Sequence, residues 1–215
     1  MNILQIKVGK RYLVRNLQLR SIEVDIKNLS IVRQTFANTV FTHTVQEVAA
    51  RHQEKLAFIV KISNIILVSI VLVLLFFQAS YPNQILFSYI GAGMTIAEII
   101  FLIIQLSFSF EQRMIMHKNS ALKYMGLRDC YRSLITDIMN ESVNSEMILA
   151  RRDLLQREYQ VISDLAPQTG QNEYKETQKK LNKRGIVKGE EFTWSDEEID
   201  RFLPEKLRLN SYDTQ

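Results

Sequence analysis

Cysteine occurs once, at Cys130, so no disulfide can form within the chain. His43, His52 and His117 do not join it in any zinc-ligand spacing, and no metal is expected. Cys130 itself reads as a small helix-packing residue in a reducing compartment, with a reactive thiol as the alternative. Glycine (7) and proline (3) are scarce, which excludes a collagen-like or linker-rich chain. Few turn formers beside abundant Leu, Ile, Gln, Glu and Lys favour long helices. The opening MNILQIKVGKRYLV lacks the continuous apolar run of a cleavable leader. There is no Gly-rich phosphate loop, no HExxH and no paired carboxylates beside a candidate substrate pocket, so neither an enzyme nor a cofactor is expected. A net charge of +4 is too small to point to DNA or RNA as a partner.

The most telling deficit is charge in the middle of the chain. Residues 62–110 are 49 positions with one charge, Glu98, leaving 49 of the 50 charges to the other 166 residues. One apolar run starts at Ala57, crosses Lys61 and continues from Ile62 to Ala79; a second runs from Ile85 to Phe110. About twenty helical residues span a hydrocarbon core of roughly 30 Å. Ser80 to Gln84, with Pro82 inside, makes a short uncharged turn between them. A chain of this length has too little protein to bury two such helices on all sides, so a lipid bilayer is their expected surrounding. Arg51, Lys55 and Lys61 precede the hairpin, and Arg113, Lys118 and Lys123 follow it. The positive-inside rule then puts both termini in the cytoplasm of a multi-pass inner-membrane protein.

The flanks carry helical periodicity. Tyr124, Leu127, Tyr131, Leu134 and Ile138 recur at 3 and 4, as do Ile148, Leu155, Tyr159, Ile162 and Ala166, with Arg152 in the open slot. Ala37, Phe41, Val45 and Val48 mark a helix entering the first span. The second span is expected to continue unbroken into the helix after it, because no Pro or Gly intervenes before Gly126. Asn140–Asn144 is the expected turn, Ala166-Pro167 a helix end, 172–184 a short helix and Gly185–Gly189 a flexible link. Ser195 and Glu198 form a capping box, Pro204 ends the helix they start, and Trp194 and Phe202 are docking anchors. Ile22, Val24 and Ile26 alternate with Glu23 and Asp25, suggesting a short strand or irregular arm. The expected fold is an all-α membrane protein, a two-helix transmembrane hairpin continuous with a cytoplasmic helical bundle. Its parts are an N-terminal arm (1–30), an entering helix (31–56), the hairpin (57–110), long helices (111–166) and a C-terminal tail (167–215).

Polar residues inside the spans are the candidate site. Gln84, Gly91, Glu98, Gln105 and Gln112 fall at intervals of seven, and Asn64 and Gln78 are fourteen apart. In an antiparallel hairpin Asn64 lies level with Gln105 and Gln78 lies near Gln84. A charge at mid-bilayer costs about 2.5–3.5 kcal/mol on insertion scales, so Glu98 should face protein, a partner chain or water. Gly93 and Ala97 allow close helix approach. Two readings stand: the stripe is helix–helix glue, or it lines a pore in a homo-oligomer. Outside the spans, Arg128, Arg132, Arg151, Arg152 and Arg157 are candidate anion contacts, against the commoner role of solvated or salt-bridged side chains. His43, Glu47 and Arg51 on one helix face read as a ladder of surface pairs.

These features resemble the SLATT family of small two-transmembrane bacterial effectors, associated with SMODS nucleotidyltransferases and SLOG nucleotide-binding domains. The resemblance covers about residues 30–205. It rests on Thr39-Val40-Phe41-Thr42-His43, the two spans, HKNSALKYMGLRDCYRSLITDI (117–138) and REYQVISDLAPQTGQNEY (157–174). The tail EEFTWSDEEIDRFLPEKLR (191–208) looks like the C-terminal element of one subgroup. The resemblance implies a membrane effector that compromises the inner membrane when a cyclic oligonucleotide or a nucleotidyltransferase or sensor partner triggers it. A constitutive membrane scaffold or adaptor is the rival reading. A reporter fused after Gln215 should score as cytoplasmic; a periplasmic score refutes the topology.

Overall fold

The computed structural model describes the backbone of residues 3–182 and 193–209, with side chains from residue 26 onward. It is helical throughout, with no strand among the described residues. Helix α1 runs Ile3–Ser80, α2 Ile85–Ser107, α3 Phe110–Met139, α4 Ser145–Leu165, α5 Gln171–Lys180 and α6 Asp196–Asp200, followed by a 3-10 turn at Glu205–Leu207. Two compact units result, one from residues 1–46 and 119–215, the other from 47–118.

In the first unit, helices α1, α3 and α4 pack along the stripes read from the sequence. Tyr124, Leu127, Tyr131, Leu134 and Ile138 of α3 are all buried, as are Phe36, Ala37 and Phe41 of α1 and Ile148, Leu155 and Ile162 of α4. Each such aliphatic or aromatic side chain contributes about 1.5–3 kcal/mol on burial. The α3–α4 turn falls at Asn140–Asn144; Asn144 caps α4 by accepting from the Met147 amide at 2.9 Å. Helix α4 ends before Pro167, whose ring cannot continue it. Ser195 and Glu198 complete the capping box at α6. The tail then anchors through Trp194, which is buried, and Phe202, which packs at its edge. Trp194 reaches α1 by three hydrogen bonds: its indole to Asn38 Oδ1 (2.7 Å), its amide to Gln34 Oε1 (2.9 Å), and its carbonyl from Gln34 Nε2 (2.6 Å).

Some expectations give way. No strand forms at residues 22–26, because α1 is already helical from Ile3. The chain has no proline before Pro82, and extending an existing helix costs far less than starting another element. The second span does not run unbroken into α3. The ladder stops at Phe108, in extended conformation (φ −102°, ψ 91°), and restarts at Phe110. Ser107 hydrogen-bonds back to the Ile103 carbonyl at 3.0 Å, and Phe108 and Phe110 stack at 5.8 Å. Cys130 is exposed on α3 rather than packed. The short helix spans 171–180, and the Gly185–Gly189 link lies outside the described residues.

The bundle core holds Tyr124 and Tyr131, with Tyr159 and Tyr174 packed against it. Tyr124 and Tyr159 rings lie 5.6 Å apart, Tyr124 shares a 2.9 Å hydrogen bond with Ser163, and Tyr159 meets Thr42 at 3.2 Å. Burial pushes the phenol of Tyr124 above its ordinary value, and that of Tyr131 well above. A raised acid holds its proton longer folded than unfolded, so this contribution is complete below about pH 10 and is lost as pH rises past it. The melting temperature in detergent should therefore be flat from pH 8 to 9 and fall above pH 10. Tyr131→Phe should shrink that alkaline fall.

Candidate functional site

The second unit is a hairpin whose polarity is inverted relative to a water-soluble pair. Along α1 the half-buried or buried positions include Ala57, Val60, Asn64, Leu67, Val71, Leu74 and Gln78, spaced 3 and 4, with Ser63 and Val68 beside them. Along α2 they are Phe87, Gly91, Met94, Thr95, Glu98, Phe101 and Gln105. Polar residues thus turn toward the partner helix, while Ile65, Ile66, Leu72, Phe76, Ile99, Ile103 and Leu106 point outward. Both helices are long and apolar enough to cross a membrane.

Contacts fix the register. Gln78 Nε2 donates to Ser88 Oγ at 3.3 Å, and Phe77 stacks on Phe87 at 5.8 Å. A Cβ on Gly91 would lie 4.0 Å from Gln78 Oε1 and Leu74 Cβ, so the helices approach closely there. At the other end Lys61 reaches Glu111 at 3.4 Å, an exposed pair worth little by itself. This register sets Asn64 level with Gln105 and Glu98 level with Val71. Gln84 is exposed at the start of α2 and makes no side-chain cap. Gln112, beyond the break, is exposed on α3.

The inner stripe carries polar groups whose hydrogen bonds are incomplete. Asn64 Oδ1 and Gln105 Oε1 are buried without a hydrogen-bond partner. Glu98 is half-buried, and no hydrogen bond or ion pair reaches it from the described residues. An unpaired buried carbonyl costs about 1–3 kcal/mol, so this hairpin holds polar groups that the described residues do not satisfy. Beside Gln105, a cavity of about 230 Å³ lies among Val60, Phe101, Ile104, Phe108 and Phe110, at the break between α2 and α3.

The five arginines do not converge on one point. Arg128 and Arg132 both reach Asp129, at 3.1 and 3.3 Å. Arg151 pairs with Asp137 of α3. Arg152 donates to Asn28 Oδ1 at 3.0 Å and to its neighbour Asp153. Arg157 is exposed and has no hydrogen-bond or ion-pair partner among the described residues. No group of three metal-ligating side chains occurs among the described residues.

The chain matches the family model described as SMODS and SLOG-associating 2TM effector domain family 4, over residues 29–198. It belongs to that family. No curated protein and no solved structure matches it. The inverted hairpin is accordingly the two-transmembrane part of a membrane effector domain, as the resemblance in the sequence implied.

One residue of consequence escaped the sequence reading. Arg33 of α1 is 1% exposed and donates to Asp200 Oδ1 at 2.6 Å, to Asp196 at 3.3 Å and to the Leu207 carbonyl at 3.4 Å. Its Nε and the second oxygen of Asp200 are both buried without a hydrogen-bond partner. The signal was available: Arg33 lies four residues before Ala37, in register with the apolar stripe. Removing one member of a buried pair strands the other charge, at a cost of about 3–5 kcal/mol. Arg33→Met should lower the urea midpoint by that much stability, and Arg33→Met with Asp200→Leu should recover most of it. Equal loss in the single and double variants would refute the pairing argument.

Proposed function

We propose that this protein is a membrane effector of a prokaryotic conflict system, built to oligomerise in the inner membrane and permeabilise it on a signal. Both termini lie in the cytoplasm, where the helical bundle receives a cyclic oligonucleotide or a sensor protein such as a nucleotidyltransferase. It acts through assembly rather than catalysis. Family membership supports the effector role. The observation that carries the rest is Glu98, the one charge of residues 62–110, which has no hydrogen-bond or ion-pair partner among the described residues. In hydrocarbon an unpaired carboxyl demands a neighbouring chain or water. With Asn64 Oδ1 and Gln105 Oε1 also without a partner among the described residues, the stripe keeps polar capacity that a second chain or the water of a cation path would meet.

Depolarisation of cells and liposomes is the direct test. Glu98→Leu should abolish depolarisation and toxicity, and Glu98→Asp should retain part of both. Glu98→Gln should assemble as the parent does and lose cation selectivity. Unchanged conductance and selectivity in Glu98→Gln would leave Glu98 a packing residue only. For the trigger, a binding screen of purified protein against cyclic oligonucleotides should yield a ligand or, failing that, activity should depend on a co-expressed sensor; absence of both favours the scaffold.

A further inference from the structure

The outer faces of α3 and α4 are more apolar than solvent requires. Leu154, Val161 and Leu165 of α4 are 64%, 58% and 67% exposed, and at helical spacing they form one face about a quarter-turn round from the buried stripe of Ile148, Leu155 and Ile162. Leu122 of α3 is 53% exposed. Gly126 lies one turn further along, and a Cβ there would meet nothing within 4 Å. A mid-helix glycine costs about 1 kcal/mol relative to alanine. Nothing among the described residues explains that cost, whereas a close-packed neighbour does.

The levels of these groups match. The Tyr124–Ser163 hydrogen bond and the Arg151–Asp137 pair set the antiparallel register of α3 against α4. In that register Leu122 is level with Leu165, Lys123 with Asp164, and Gly126 with Val161. Lys123 and Asp164 are both exposed, and Lys123 has no partner among the described residues. Two spans cannot surround a path alone, and a ring of more than two copies joins one face to a different face of the next. We infer that the outer face of α4 (Leu154, Val161, Leu165) docks on the outer face of α3 (Leu122, Gly126) of a second copy, with Lys123 paired to Asp164 across the contact. The inference rests on the oligomer proposed above and names its surface. The occupant is another copy of this chain because both halves of the contact, apolar and charged, lie on it at equal heights.

Cross-linking tests it in the full-length protein in nanodiscs, on a Cys130→Ser background. Gly126→Cys and Val161→Cys copies, co-expressed, should join through a short bismaleimide, and neither should join to itself. Lys123→Glu should weaken assembly about fivefold, as should Asp164→Lys, and the two together should restore it. All four positions are exposed, so unchanged helicity and melting will separate lost assembly from lost folding. Self-linking of either single variant would replace this contact with a two-fold one. An oligomer that neither cross-links in the mixture nor responds to the charge reversals overturns the α3–α4 surface and leaves the oligomer standing. A parent chain that is monomeric at every concentration overturns both.

Discussion

Two helices can lie side by side in hydrocarbon only if the polar groups they carry turn away from the lipid, and this constraint organises the hairpin. The sequence meets it with two stripes of period 3.5, one on each helix, that face each other from Val60 and Gln105 to Gln78 and Gly91. Satisfying the geometry does not satisfy the hydrogen bonds. The oxygens of Asn64 and Gln105 stay without a partner among the described residues, so the hairpin keeps unmet polar capacity that a soluble protein would have exposed to water. A second copy or water would meet that capacity in the assembly proposed above.

Outside the hairpin a different force dominates. The bundle of α1, α3 and α4 buries aromatic and aliphatic side chains in the ordinary way, with phenols sharing hydrogen bonds with Ser163 and Thr42. Its least ordinary element is the tail. Trp194, Ile199 and Leu203 fill the surface of α1, and the Arg33–Asp200 pair fixes where they sit. A buried ion pair adds little net stability beside an apolar substitute, so its contribution is to specify position.

Period carried most of what was legible. The spans, the bundle stripes, the Asn144 turn and the Ser195 capping box were all readable, because each depends on neighbours within a few residues. The break at Phe108–Ser109 was hidden: no Pro or Gly marks it, and it arises where Ser107 bonds back to Ile103 and two phenylalanines stack. Alternation at Ile22–Ile26 misled because five residues cannot outweigh a helix that has no reason to stop. Arg33 was missed because its partners lie more than 160 residues away, beyond any local pattern. The arginines singled out for anion contact show the converse limit, since sequence gives their number but not the carboxylates that occupy them.

That long separation also sets an order of events. Asp200 follows Arg33 by 167 positions, with both spans between them. At about 5–20 residues per second, a ribosome needs on the order of ten to thirty seconds to reach it. Until then Arg33 stays hydrated and α1 lacks the Trp194 cover, while the spans have already left the ribosome. Each newborn copy therefore completes its bundle last, after its hydrophobic segments have been delivered to the membrane.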